Sequence, residues 1–160
     1  WDDGHLQEAA LVPLSQLRKN ADSPDIRKKL SKDKIIYCHC RSCRRHTGAP
    51  VASLAGYQRD EIKWSGEIRK IYQSSPGIER GFCGKCGTPL TWEGTVEELG
   101  GALIEVFIST TDDPDSLVPT YHIWHEERIK WFETIDNLPR YRGWMHDGSE
   151  PYLCAPATTE

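Results

Sequence analysis

The sequence has no apolar run approaching the roughly 20 residues that a membrane-crossing helix needs, and no apolar core behind a basic start of the kind that marks an export signal. A soluble, unexported, cytoplasmic protein is the resulting expectation. Methionine occurs once and phenylalanine three times in 160 residues, so the bulky core material must come from aliphatic side chains with six Trp and six Tyr. The hydrophobic share of 38% still suffices to enclose an interior and argues against a disordered chain. No cysteine precedes Tyr37, and no repeat or low-complexity tract is present. The length suits one domain with one core.

Net charge is small, at −4, but unevenly placed. Between Arg18 and Arg45, ten Lys and Arg stand against Asp22, Asp25 and Asp33, a local excess of seven positives that leaves −11 on the remainder. Such a block is ordinarily a solvated face, although it can also collect an anionic small molecule. The net negative charge speaks against nucleic acid as a partner.

Residues 1–33 read as one or two short helices with a basic outer face. Leu6, Ala9, Ala10, Leu14 and Leu17 recur at helical spacing around a breaking Pro13, and Ser23-Pro24-Asp25 is a second helix start. From Lys34 onward the pattern is β. Short segments at Ile35–Tyr37, Val51–Tyr57, Ile68–Gln73, Thr88–Trp92 and Thr120–Trp124 are separated by glycine and proline. The nearly all-apolar Ala102–Ile108 is expected to be the central strand. Thr111–Asp115 is a turn or helix start. Residues 143–160, with two prolines and an isolated Cys154, read as a loosely attached tail. The chain thus divides into a helical basic segment (1–33), a mainly β domain (34–142) and a tail (143–160).

Five of the six cysteines form two tight clusters, and in a chain without an export signal such spacing favours metal over disulfides. In Cys38-x-Cys40-x-x-Cys43, two residues on one side of a strand end converge while the following turn brings back the third. That fills three corners of a zinc tetrahedron. Arg41, Arg44 and Arg45 would offset the thiolate charge. Cys83-Gly84-Lys85-Cys86-Gly87 has the form of a zinc knuckle; a redox pair is the competing reading, but Gly87-Thr88-Pro89 leads into a strand rather than a helix. Five thiolates cannot close two four-thiolate sites. An open position at the first cluster would suit catalysis, whereas at the second a structural site would be left incomplete.

His39 lies between two ligands and should point away from the metal as a packed or hydrogen-bonded residue. His46 could approach the first metal from the loop but is the weaker candidate. His122 and Trp124 fall on one face by strand alternation, where they could line a cavity or pack in the core.

The motifs Cys38-His39-Cys40-Arg41-Ser42-Cys43-Arg44-Arg45, Gly48-Ala49-Pro50, Ser74 to Leu90, His122-Ile123-Trp124 and Leu138-Pro139-Arg140-Tyr141 occur in an order that resembles the glutathione-dependent formaldehyde-activating enzyme family, which also contains centromere protein V. The resemblance spans residues 34–142. It implies a tent-like zinc-binding β-sandwich with two zinc ions. Cys38, Cys40 and Cys43 would hold the catalytic zinc, and Cys83 and Cys86 would belong to a structural zinc. In that family an N-terminal Cys-x-Cys-Gly completes the structural site, and this sequence lacks it. Either the natural chain extends upstream of Trp1, or the site is degenerate, or Cys154 or a histidine completes it.

The activity implied is a carbon–sulfur lyase-type reaction on a glutathione or similar thiol adduct of formaldehyde or another small electrophile. Substrate contacts are expected from Arg41, Arg44, Arg45, His122 and Trp124. A different zinc-dependent lyase, hydratase or isomerase step, or a zinc-stabilised binding module, are the alternatives, and a homo-oligomer is left open.

Overall fold

The computed structural model describes residues 35–62, 64 and 69–152. The helical expectation for 1–33 and the expectation for Cys154 lie outside the described residues. No described helix is long and apolar enough to cross a membrane.

The described chain is mainly β. Strands β1 (Ile35–Cys38), β2 (Ala52–Gln58), β3 (Arg69–Ser75), β4 (Ile78–Cys83), β5 (Pro89–Val96), β6 (Gly101–Phe107) and β7 (Tyr121–Ile123) are joined by short connections, with one short helix, α1 (Arg41–Thr47), between β1 and β2. They pair in the order β3-β4-β5-β6-β2-β1-β7. All neighbours are antiparallel except β1 and β7, which run parallel. The resemblance implies a tent-like β-sandwich, and hydrogen bonding joins all the described strands into one mixed sheet. The β2–β6 ladder, from Leu54↔Phe107 to Gln58↔Leu103, links the β3–β6 meander to β1 and β7.

β6 occupies the middle of the order, as its apolar run requires. Leu103, Ile104, Val106 and Phe107 are all buried. β4 is the strand that the sequence pattern hides, because Glu79, Arg80 and Gly81 interrupt any apolar alternation. A Pro76-Gly77 turn with Gly77 at φ +75° closes the β3–β4 hairpin and sets its register.

Residues opposite one another in the ladders share a face. One face carries Ile36, Cys38, Leu54, Phe107, Tyr121 and Ile123, which pack with Cys43 of α1 into a single buried cluster. The other carries Ile35 and Ala55, packed with Ile108. The cysteines therefore belong to the core of the first face. The described part of the C-terminal segment docks there as well: Trp144 and Met145 pack on this cluster, and the Tyr152 amide donates to the Arg140 carbonyl at 3.0 Å. Residues 153–160 lie outside the described residues.

Candidate metal centre

Cys38 is the last residue of β1, and its pairing with Ala52 and Ile123 turns its side chain towards α1. The chain then leaves the strand and Cys40 becomes the N-cap of α1, its Sγ accepting from the Cys43 amide at 3.2 Å. A helix N-cap and the third residue after it meet on one side, so Cys43 comes back by a helical turn rather than by a loop. The three sulfurs lie within 4.8 Å of one another. A tetrahedral zinc with bonds of about 2.3 Å sets sulfurs about 3.8 Å apart, so the arrangement fits with a small contraction.

The electrostatics also fit a cation. Hydrogen bonds to Cys40 and Cys43, then burial, push the Cys38 thiol well above its usual range. Cys40 moves far the other way, because Cys38 and Cys43 both donate to it. Cys43 rises to about 12: a hydrogen bond with Cys38 lowers it, but one with Cys40 and burial outweigh that. These shifts favour the thiolate at Cys40 and the thiol at Cys38 and Cys43. A divalent cation would displace the remaining protons, which couples its binding to pH.

Cys38 and Cys43 are buried, whereas Cys40 is half-exposed. Cys40 forms part of the wall of an open depression of about 650 Å³, together with Arg41, Ser42, Arg45, Trp124 and Glu127. Arg41 and Arg45 thus line the depression beside Cys40. Arg44 turns to the backbone: its Nε donates to the His39 carbonyl and its Nη2 to the Glu127 carbonyl, both at 2.9 Å. It braces the backbone around the centre. Glu127, which the sequence reading overlooks, accepts from the Arg41 amide at 2.7 Å.

His122 and Trp124 separate. Regular strand ends at Ile123, and Trp124 takes φ +53°, which cancels the alternation that would put the two side chains together. Trp124 reaches the depression, while His122 is fully buried. There its Nδ1 lies 2.8 Å from His39 Nε2 and its Nε2 lies 3.0 Å from the Asp136 carboxylate. His39 does point away from the sulfurs into this network. Burial, then the neighbouring imidazole of His122, lowers His39 to about 3, so the ring is neutral where its Nε2 meets His122, while its buried Nδ1 has no hydrogen-bond partner among the described residues. Asp136 is held in turn by Arg140. Neither Asp136 nor Arg140 carries a chemical signal in the sequence beyond the Leu138-Pro139-Arg140-Tyr141 motif.

Cys83 ends β4 and is buried, and Cys86 is exposed in the β4–β5 turn with its Sγ 3.1 Å from Thr88 Oγ1. The Gly87 amide donates to the Cys83 carbonyl at 2.8 Å, which closes the knuckle turn. Among the described residues the Cys38–Cys40–Cys43 trio is the one group of three or more metal-type ligands, and Cys83 and Cys86 are not part of it.

Residues 25–127 match the sequence model of the glutathione-dependent formaldehyde-activating enzyme family. The chain belongs to this family. An uncharacterized lyase of Schizosaccharomyces pombe is 33% identical over 61 residues, which cover 38% of this chain and 44% of that protein. The match thus spans less than half of that relative. The tri-cysteine geometry fits a metal of the zinc kind.

Proposed function

We propose that the protein is a zinc-dependent carbon–sulfur lyase-type enzyme acting on the adduct of glutathione, or a similar small thiol, with formaldehyde or another small electrophile. The observation that carries this reading is the half-exposed Cys40, which joins the sulfur trio to a depression lined by Arg41, Arg45 and Trp124.

Zinc held by Cys38, Cys40 and Cys43 would leave a position at which a thiol is readily deprotonated at neutral pH. Arg41 and Arg45 hold the carboxylates of the thiol substrate by charge-assisted hydrogen bonds. Trp124, with 38% of its surface exposed, offers a flat apolar wall against which the reacting carbon is shielded from water. Glu127 fixes the Arg41 backbone and so the floor of the depression. In the forward direction the thiol S–H bond breaks, an S–C bond forms to the aldehyde carbon, and the oxygen takes up a proton. The lyase direction reverses this. Because a thiol adds to formaldehyde readily by itself, the protein's contribution is mainly to position the partners.

Residues 34–142 form the catalytic unit in this reading, and Cys83 and Cys86 contribute to a structural zinc site. A reducing compartment such as the cytoplasm would keep the trio competent for metal.

The test is metal analysis and turnover, followed by NMR of glutathione with formaldehyde, for the wild type and Cys40→Ser. Zinc at the trio and loss of at least about a hundredfold in kcat/KM for Cys40→Ser are expected. Full activity in that variant overturns the proposal.

A further inference from the structure

The sheet register sets a row of charge beside the sulfurs. Arg80 on β4 lies opposite Trp92 on β5, Trp92 opposite Glu105 on β6, and Glu105 opposite Gly56 on β2. Glu105 shares its face with Phe107, two residues on, which packs in the same cluster as Cys38 and Cys43. The row therefore faces the sulfurs.

Arg80 is 3% exposed. Its Nη2 donates to Ser42 Oγ at 2.7 Å and its Nη1 to Cys43 Sγ at 3.8 Å. A guanidinium keeps its charge in a protein, and burying it without an anionic partner is costly. Among the described residues no carboxylate pairs with it at salt-bridge distance. The sulfur it touches belongs to Cys43, one of the three candidate metal ligands. Glu105 is the acidic residue that opposes it along the row: burial lifts the Glu105 carboxyl to about 7, Arg80 pulls it down, and the charge on Cys40 pushes it up.

We propose that Arg80 is the positioning residue that makes the cysteine centre prefer an anionic sulfur ligand over a neutral one. This rests on the reading above, in which a thiol enters the centre. Three thiolates around a divalent cation carry one net negative charge, and an incoming thiolate adds a second. In a partly buried site of reduced dielectric that addition is unfavourable unless a fixed positive charge lies close by. Arg41 and Arg45 are exposed and screened by solvent, so they contribute little to it. Arg80 is buried against one of the ligating sulfurs and is not. It acts through Cys43 and the local field, and Ser42 fixes the orientation of its planar fork.

The experiment uses the full chain loaded with cobalt(II), whose visible absorption reports the ligand set. It is titrated with 2-mercaptoethanol, a thiol with no carboxylate for Arg41 or Arg45, and separately with imidazole, a neutral donor. Arg80→Gln should weaken mercaptoethanol binding by about tenfold or more while imidazole affinity stays within about twofold. Arg80→Lys, which keeps the charge, should retain thiol affinity within about threefold. Glu105→Gln removes the opposing carboxyl and should tighten thiol binding at pH 8, above the value of about 7 for that group. Undiminished thiol affinity in Arg80→Gln, or equal losses for both ligands, overturns the assignment. Should Arg80→Gln fail to fold, weaker or unchanged thiol binding by Glu105→Gln overturns it equally. A wild-type centre that takes cobalt but no thiol instead sinks the functional reading itself, which separates the two failures.

Discussion

Arg44 and Arg45 are adjacent in the chain, yet one ties two backbone carbonyls together while the other lies exposed on the wall of the depression. Their variants should therefore fail differently. Arg45→Ala is expected to raise KM for glutathione several-fold with kcat nearly unchanged, since it removes a substrate contact made equally in ground and transition states. Arg44→Met should leave two carbonyls without their charged donor and lower stability by about 2 kcal/mol. Steady-state kinetics and urea unfolding on the two variants check this, and a KM effect confined to Arg44→Met would reverse the assignment. Residue identity made both arginines candidates. What each one touches depends on the rotation of α1, and no spacing rule over Arg41–Arg45 reports that rotation.

At the scale of elements, β1, β2, β5 and β6 were legible to within a few residues because their alternation or continuous apolar character matches their place in the sheet. β4 was not, since its sequence packs a guanidinium, a carboxylate and a glycine where apolar residues would signal a strand. Gly81 explains part of this. A Cβ there would lie 2.1 Å from Thr91 Oγ1 and 3.0 Å from Arg69 Nε, so the strand needs a residue that propensity disfavours. Thr91 cannot move away cheaply, as it is fully buried and donates to Glu93 at 2.7 Å. Gly81→Ala should therefore cost about 2–3 kcal/mol. Gly77→Ala, where only φ +75° opposes a side chain and no atom lies within 4 Å, should cost about 1 kcal/mol. Chemical denaturation of the pair decides it, and equal costs would count against the crowding argument. The same scale accounts for the strand ending at Ile123: the left-handed backbone at Trp124 is set by the docking of residues 141–143, whose carbonyls accept from Trp124 and His125. A local alternation rule does not contain that contact.

For the molecule as a whole, the buried imidazoles set a pH limit. His39 falls to about 3 and His125 to about 4, both first through burial, which disfavours the cation. His122 is lowered for the same leading reason. As pH drops below about 6.5 the unfolded chain takes up protons at these positions and the folded chain does not, so the imidazoles together lower stability towards about pH 4 and outweigh the single opposite contribution of Glu105, whose carboxyl, lifted to about 7, is protonated first in the folded chain. Urea midpoints measured from pH 7 down to pH 4 should decline, less steeply in His125→Gln. A midpoint that rises on acidification would contradict the network. The family and the convergence of the three cysteines were legible because cysteine spacing is a local property of a strand end and the turn after it. Arg80, Asp136 and Arg140 were not legible as parts of the site, because each reaches it across the sheet or a long loop.

X-ray absorption at the zinc edge, on the reduced protein carrying one zinc at the trio, addresses the central claim most directly. Three sulfurs at about 2.3 Å and one lighter atom are expected, with the lighter atom replaced by a fourth sulfur when glutathione is added. Four sulfurs before any thiol is added, or a coordination shell that glutathione leaves unchanged, would contradict an open centre built from Cys38, Cys40 and Cys43.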